Sequence, residues 1–147
     1  MTAKEYLSKI QIYHRAILST QLRIEELEHQ ASGIRAITYD RDKVQTSPEN
    51  RIEDIMIKVD ALTRKLTRQI MKYQREVLKR EKQIAELERA EYAQVLQMKY
   101  IDGMNLLQIT LAMRDADGGQ RYSYDHVKHM HGWALNAFQK KYLNNTK

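Results

Sequence analysis

Apolar side chains recur at three- and four-residue intervals over some forty residues in the middle of the chain, from about residue 48 to about residue 90. This is the period of one face of an α-helix, and a helix of that length would span roughly 60 Å. The series comprises Ile52, Ile55, Val59, Leu62, Leu66, Ile70, Tyr73, Val77, Ile84 and Leu87. Because so long a stripe cannot be buried within a small globule, it predicts packing on another long helix, on a second copy of the chain, or on both.

A second stripe, nearer the N-terminus, can supply that partner. Its side chains recur every seven residues in two interleaved series, Ile10, Ile17, Ile24 and Ala31 in one and Tyr6, Tyr13, Thr20, Leu27 and Ile34 in the other. This heptad pattern is typical of a helix that packs along its length on another helix. It predicts a helix from about Thr2 to Ala31, with Gly33 placed to end it.

Residues 33–48 break this periodicity and are predicted to be a linker. At its end, Ser47 is a suitable N-cap and Pro48 suits the first position of the long helix. Residues 1–90 are therefore predicted to form a helical hairpin with coiled-coil character, which we expect to associate as a homodimer. Only five glycines and one proline occur in the chain, which argues against a fold rich in β-turns.

The last third of the chain, residues 91–147, changes character. The stretch "EYAQVLQMKYIDG" predicts a short helix closed by Gly103, and Asn105 with Gln108 predicts a capping box at the start of the next helix. A loop, "RDADGGQRY", precedes a final helix capped by Ser123. Short helix, turn, helix, loop and longer helix is the plan of a helix-turn-helix domain. The predicted fold is all-α, with a long hairpin followed by this domain.

Several classes of protein are disfavoured by what the sequence lacks. The chain contains no cysteine, which excludes disulfides and thiolate metal sites. It has no apolar run suited to a signal peptide or a membrane span. It also lacks a Gly-rich phosphate loop, a His-Glu zinc motif and a nucleophile elbow. We therefore expect a soluble cytoplasmic protein that is not an enzyme and needs no cofactor.

Three histidines lie close together in "YSYDHVKHMHGWALNAF", residues 122–138. On a helical wheel the apolar side comprises Tyr124, Val127, Met130, His131, Ala134, Leu135, Phe138 and Tyr142. His126, His129 and His131 point in three directions, and nothing nearby completes a zinc ligand set. No metal site is therefore predicted, and His131 is expected to be a partly buried core histidine.

The opposite side of the same helix is polar. In helix-turn-helix proteins the N-terminal turns of the last helix offer side chains to base edges in the major groove. There Asp125 can accept from cytosine, Lys128 can donate to guanine or to a phosphate, and Gly132 permits close approach. The predicted DNA-binding face comprises Ser123, Tyr124, Asp125, Lys128, His129 and Gly132. The alternative is an ordinary solvated face.

The net charge of +6 favours an anionic partner. Residues 64–82 hold eight Lys or Arg against two Glu. A predicted basic stripe comprises Lys65, Arg68, Lys72, Arg75, Lys79 and Lys82, on the side of the long helix roughly opposite its apolar seam. Arg114 and Arg121 in the loop, and Lys140 on the last helix, are further predicted phosphate contacts. The alternative for the stripe is the solvated outer face of a coiled coil.

The two stretches "VLQMKYIDGMNLLQITLAM" and "YSYDHVKHMHGWALNAF" together resemble the DNA-binding fourth region of bacterial sigma factors. The residues that match its pattern are Tyr100, Ile101, Gly103, Ile109, Ser123, Val127, Ala134 and Leu135. With "DKVQTSPENRIEDIMIKVDAL" ahead of them and "HGWAL" in the last helix, about residues 40–140 are similar to small Gram-positive phage and prophage regulators akin to the ArpU/RinA late-gene activators. Two departures from the sigma pattern are Thr110, where the pattern has alanine, and the longer loop.

The resemblance implies a sigma-like helix-turn-helix regulator that binds specific double-stranded DNA and activates late phage or prophage genes. It also implies contact with host RNA polymerase in the bacterial cytoplasm. Two alternatives stay open. One is a small-terminase-like DNA-packaging subunit, which would form a ring and bind DNA with modest specificity. The other is a protein-binding module whose long helical seam captures a host helix.

Overall fold

The computed structural model describes residues 1–38 and 48–144. These residues form α1 (Ala3–Thr38), α2 (Pro48–Ala85), α3 (Ala90–Leu96), α4 (Leu106–Ala112) and α5 (Tyr124–Phe138). Short π-helical turns, Gln97–Ile101 and Gln139–Leu143, continue α3 and α5. Over the described ranges no strand forms, which confirms the predicted all-α fold. No helix in these ranges is long and apolar enough to cross a membrane.

The end of α1 differs from the prediction. The helix passes through Gly33 and continues to Thr38, so the predicted end at Ala31 and the predicted linker start at residue 33 are wrong. A glycine ends a helix by adopting a left-handed conformation, and among the described glycines only Gly103 and Gly118 have positive φ. Within a helix, glycine costs only about 1 kcal/mol relative to alanine, which neighbouring packing can offset. The rest of the predicted linker, including the Ser47 cap, lies outside the described residues.

Residues Tyr13–Tyr73 form one compact unit, built from most of α1 and α2. The heptad positions Ile17, Thr20, Leu27 and Ala31 of α1 and Val59 of α2 are buried there. The ring centroids of His14 and Tyr73 lie 5.9 Å apart, and the Lys72 ammonium lies 4.9 Å from the centre of the Tyr13 ring. These contacts place the N-terminal part of α1 in this unit beside the C-terminal part of α2, so the two helices are antiparallel. The predicted seam and hairpin are confirmed within this unit.

The second compact unit combines Met1–Ile12 with Gln74–Lys147. Its larger core comprises Ala3 and Leu7 of α1, Ile84 and Leu87 at and beyond the end of α2, and Leu96, Tyr100, Ala134 and Phe138 of the later helices. The Ala3 backbone N–H donates to Gln139 Oε1 at 2.5 Å. The first turns of α1 and the last turns of α2 therefore complete the core under α3 and α5. The division into an oligomerisation region at residues 1–90 and a helix-turn-helix DNA-binding domain at residues 91–147 stays a prediction.

The end of α2 is also shorter than predicted. The helix stops at Ala85, whereas the apolar period suggested Ala90. The Leu87 backbone N–H donates to the Ile84 carbonyl at 3.1 Å, which tightens the chain into a turn. This turn still buries Leu87, so the apolar position is correct although the helix has ended.

One seam position of α2 holds a buried arginine. Arg80 is 1% exposed, and its Nε donates to the Tyr6 carbonyl at 3.0 Å. Its Nη1 donates to the Glu76 carbonyl and to the Glu76 carboxylate. The guanidinium lies 4.1 Å from the centre of the Tyr6 ring, and the Tyr6 hydroxyl donates to Gln83 at 2.8 Å. The buried charge is thus paired, hydrogen-bonded and covered by an aromatic face, as burial of an ion requires.

We expect Arg80→Ala to lower the free energy of unfolding by about 2–4 kcal/mol, because it leaves a cavity and removes the donor to the Tyr6 carbonyl. The matched control is Arg64→Ala, whose ion pair with Asp60 lies on the surface with 72% of the arginine side chain exposed. That change should cost less than about 1 kcal/mol. Urea unfolding followed by circular dichroism measures both, and equal losses would contradict the structural role of Arg80.

Because α1 and α5 share one core, we expect a substitution near the N-terminus to weaken the packing of α5. Leu7 is 0% exposed, and Leu7→Ala should cost about 2–5 kcal/mol. Fluorescence of Trp133, the only tryptophan in the chain, follows the unfolding of α5 in urea. Leu78→Ala serves as the control, since Leu78 on α2 is 65% exposed. An unfolding midpoint for Leu7→Ala no lower than that of the control would show that α5 does not need the N-terminal turns.

Candidate functional site

The chain between α3 and α4 is fixed by local hydrogen bonds. Gly103 has a φ of +73° and follows the π-helical turn that continues α3. The Asn105 side chain accepts from the Gln108 N–H at 2.8 Å, and the Gln108 side chain accepts from the Asn105 N–H at 2.9 Å. The predicted capping box is therefore confirmed. It fixes the start of α4, on which the inner face of α5 packs.

Thr110, where the sigma pattern has alanine, lies inside this packed layer. It is 2% exposed, and its hydroxyl donates to the Leu106 carbonyl at 2.8 Å. A buried hydroxyl that is satisfied within its own helix is not left as an unpaired polar group. The departure from the pattern is thus accommodated without a partner on another helix.

The loop between α4 and α5 is a compact turn. The Asp115 N–H donates to the Gly119 carbonyl at 3.0 Å, and the Gly118 N–H donates back to the Asp115 carbonyl at 3.0 Å. Gly118 adopts the left-handed conformation, with φ +78°. Arg114 pairs with Gln120 in an isolated antiparallel bridge, and its guanidinium donates to the Gly118 carbonyl at 3.2 Å. The loop is thus closed on itself by its own backbone.

Of the two loop arginines predicted to touch phosphates, Arg121 has charged and aromatic neighbours. Its guanidinium lies 3.8 Å from the Glu91 carboxylate and 5.1 Å from the centre of the Tyr122 ring. Both Arg114 and Arg121 are exposed. A phosphate at Arg121 would therefore compete with an existing surface ion pair, which is weak.

The start of α5 forms as predicted. The Ser123 side chain accepts from the His126 N–H at 3.2 Å, so its observed role is that of an N-cap. Along the inner face Val127, Met130, Ala134 and Phe138 are buried. Tyr124 was expected on this apolar side but is 45% exposed, so that placement is wrong. Helical side chains lean toward the N-terminus, and Tyr124, as the first helical residue, extends past the packed layer.

The outer face of α5 carries the predicted base-contacting residues together. Asp125, Lys128, His129 and Gly132 are all exposed, on consecutive turns. His129 Nδ1 lies 2.6 Å from the Asp125 carbonyl oxygen. Because a carbonyl only accepts, Nδ1 carries the proton and Nε2 remains available to a ligand. The structure thus brings an acceptor, a cation and an imidazole onto one open helical surface.

The three histidines of α5 do not converge on one point, although His126 and His129 both lie near Trp133, with ring centroids 5.9 Å and 6.1 Å from it. The His126 ring stacks on Tyr122 with centroids 4.9 Å apart, whereas His131 Nε2 lies 2.9 Å from the Tyr100 hydroxyl oxygen. His131 is half-buried, as expected. Among residues 1–38 and 48–144, no group of three His, Asp or Glu side chains is placed to hold a metal ion.

The six residues of the predicted basic stripe are all exposed. Lys65, Arg68 and Lys72 belong to the hairpin unit, and Arg75, Lys79 and Lys82 to the unit that contains α5. In that second unit, Lys140 is exposed as well, and it lines a cleft of about 490 Å³ beside α5.

Three features of this region were missed by sequence analysis. The cleft that Lys140 lines is formed with the turn between α2 and α3. Trp133 on α5 is 49% exposed, and Leu107 and Leu111 on α4 are 56% and 53% exposed. The helical wheel of α5 indicated that Trp133 would be exposed, since Trp133 falls outside the apolar side. For the cleft no sequence signal existed, because its two walls lie about fifty residues apart.

These features define an all-α protein with an N-capped helix whose polar face is open to a ligand. The chain belongs to a family described as proteins of unknown function (DUF1492), whose model matches residues 34–128, more than half of the chain. The match includes α2, α3 and α4 and extends into the first turns of α5. No curated protein and no solved structure matches the chain.

The environment of His131 predicts a pH dependence of stability. Burial lowers the pKa of His131 below its ordinary value of 6.5, and Lys99 and Lys4 lower it further. The unfolded chain then binds the proton more readily, so the free energy of unfolding falls as the pH drops below about 6.5 and levels off below the folded-state pKa. Urea unfolding between pH 7.5 and pH 5 measures the fall.

His131→Gln keeps a polar partner for Tyr100 and removes the titration, so its stability should change less with pH than that of the original chain. The control is His29→Gln, which replaces an exposed histidine on α1 and should keep the original dependence. If His131→Gln keeps it as well, another group causes the fall.

Proposed function

We propose that this chain is a sequence-specific DNA-binding protein that regulates transcription of phage or prophage genes, as an activator of late genes. It acts in the cytoplasm of the bacterial host and is not an enzyme. The observation that carries the proposal is the outer face of α5, where Asp125, Lys128, His129 and Gly132 are exposed together on a helix with a buried inner face.

The packing of α5 suits it to enter the major groove. A recognition helix must present side chains to base edges from a fixed position. Ser123 caps its first turn, and Val127 and Met130 hold its inner face in a core with Val95, Ile109 and Met113. The packed inner face therefore holds the side chains of the outer face in fixed positions. In this arrangement Asp125 accepts from cytosine, Lys128 donates to guanine or a phosphate, and Gly132 permits close approach.

Basic side chains outside α5 would position the protein on the duplex. Phosphate contacts fix orientation and carry no sequence information of their own. Arg114 and Arg121 in the loop are exposed, as are Arg75, Lys79 and Lys82 of the basic stripe in the same compact unit. Such contacts release counterions, so binding should weaken steeply as salt rises.

A homodimer would give the protein two recognition helices. Two helices about one turn of duplex apart favour a repeated or palindromic site. The exposed apolar side chains of the hairpin unit, among them Leu22 at 65% and Ile57 at 64%, support association of copies through this unit. Contact with host RNA polymerase rests on the resemblance to sigma region four and the ArpU/RinA activators.

Selection of duplexes from a random 20-base-pair library by the full-length protein should enrich one sequence motif. On the selected duplex, Lys128→Ala should weaken binding about 5- to 150-fold, the effect of losing roughly 1–3 kcal/mol at a base contact. Asp125→Ala should relax the preference at one base position. Fluorescence anisotropy on selected and shuffled duplexes measures both effects.

The matched control for Lys128→Ala is Lys58→Ala, an exposed lysine on α2 in the hairpin unit, which should change the affinity less than twofold. Equal binding of selected and shuffled duplexes would contradict a sequence-specific regulator and favour the packaging alternative. Failure of the original chain to bind any duplex would contradict both and favour the protein-binding module.

A further inference from the structure

A cleft runs along one flank of α5, beside its outer face. One wall is the turn that joins α2 to α3, with Leu87, Glu88 and Arg89, and the other is the C-terminal half of α5 and its π-helical turn, with Ala137, Lys140 and Lys141. Tyr92 of α3 lies between them. Two walls from distant parts of the chain thus enclose about 490 Å³ of open volume.

The lining of this cleft is positively charged. Arg89, Lys140 and Lys141 face a single acidic lining residue, Glu88. Two nearby carboxylates have partners already, since Glu86 accepts from the Tyr142 hydroxyl at 2.8 Å and Glu91 pairs with Arg121. Within the described part of the chain, neither Arg89 nor Lys140 forms an ion pair. The cleft therefore offers two cations to an anion.

The cleft also has apolar lining residues, and it shares residues with a second cleft that is rich in aromatic side chains. Leu87 and Ala137 line the first, and Arg89 and Tyr92 line both. The second adds Met130, the aromatic side chains Tyr122, His126 and Trp133, and Glu91, the carboxylate that pairs with Arg121. The Arg89 guanidinium lies 5.3 Å from the centre of the Tyr92 ring, which holds the charge beside an apolar surface. Cations beside apolar and aromatic side chains suit a DNA backbone, in which charged phosphates are joined by less polar sugars.

We propose that this cleft seats the phosphodiester backbone of DNA next to the base pairs contacted by the outer face of α5, an inference that rests on the proposed function. Arg89 and Lys140 contact phosphate oxygens, and Trp133 packs on an adjoining deoxyribose. Trp133, Ala137 and Lys140 follow one another at four- and three-residue spacing along one flank of α5 and its continuation. A backbone that follows this flank would meet the three in turn.

The test uses the full-length chain and a 40-base-pair duplex of mixed sequence. Removing two phosphate contacts with Arg89→Gln and Lys140→Gln should make the slope of log affinity against log salt shallower by about 1.8. Lys4→Gln with Lys58→Gln removes the same charge from two exposed lysines outside the cleft and should change the slope by less than half as much. Lys140→Gln alone should give about half of the full effect, which keeps the test available if the double variant is unstable.

A second readout uses Trp133, the only tryptophan. The duplex should protect its fluorescence from quenching by acrylamide, whereas inorganic phosphate alone should not. An unchanged salt slope for the double variant, with Lys128→Ala still weakening binding, would overturn the cleft proposal and leave the proposed function standing. Protection by inorganic phosphate alone would also overturn it, in favour of a site for a small anion. If the original chain binds no duplex, both proposals fail.

Discussion

The packing of the N-terminal turns of α1 against α3 and α5 determines how the candidate site is built. Leu7 and Phe138 are both fully buried in one core, although they lie at opposite ends of the sequence. The hydrogen bond between the Ala3 N–H and Gln139 adds a polar contact at its edge. Because closing so long a loop costs entropy, the buried area at this junction must stabilise the whole arrangement. The orientation of α5, and hence of its polar face, depends on residues at the start of the chain.

The buried arginine stabilises that junction in a different way. An apolar side chain at position 80 would continue the α2 seam, yet Arg80 occupies it and binds the Tyr6 carbonyl and the Glu76 carboxylate. A paired buried charge adds little net stability compared with a well-packed apolar residue, but it tolerates few alternative positions of its partners. Its donors therefore fix the register between α1 and α2 close to the core that supports α5.

Local patterns predicted much of the fold, and contacts between distant residues account for most of the rest. The heptad pattern predicted the seam between α1 and α2. The Asn105–Gln108 capping box and the Ser123 cap predicted the starts of α4 and α5. Each of these patterns lies within a few helical turns, so it could be recognised from the sequence. The prediction that α1 ends near Gly33 was wrong, because packing around a glycine decides whether the helix ends there. On α5 the polar face was predictable from the wheel. The cleft and the buried state of Arg80 were not, because both depend on how separate helices pack.

The proposed function depends most directly on contact between the outer face of α5 and duplex DNA. Titration of the isotopically labelled chain with the selected duplex, followed by amide chemical shifts in NMR, tests this residue by residue. If the outer face of α5 contacts DNA, the largest shift changes will fall on residues 123–133, with smaller changes at the turn between α2 and α3. Changes confined to residues 13–73, or no changes at duplex concentrations that saturate binding, would contradict it.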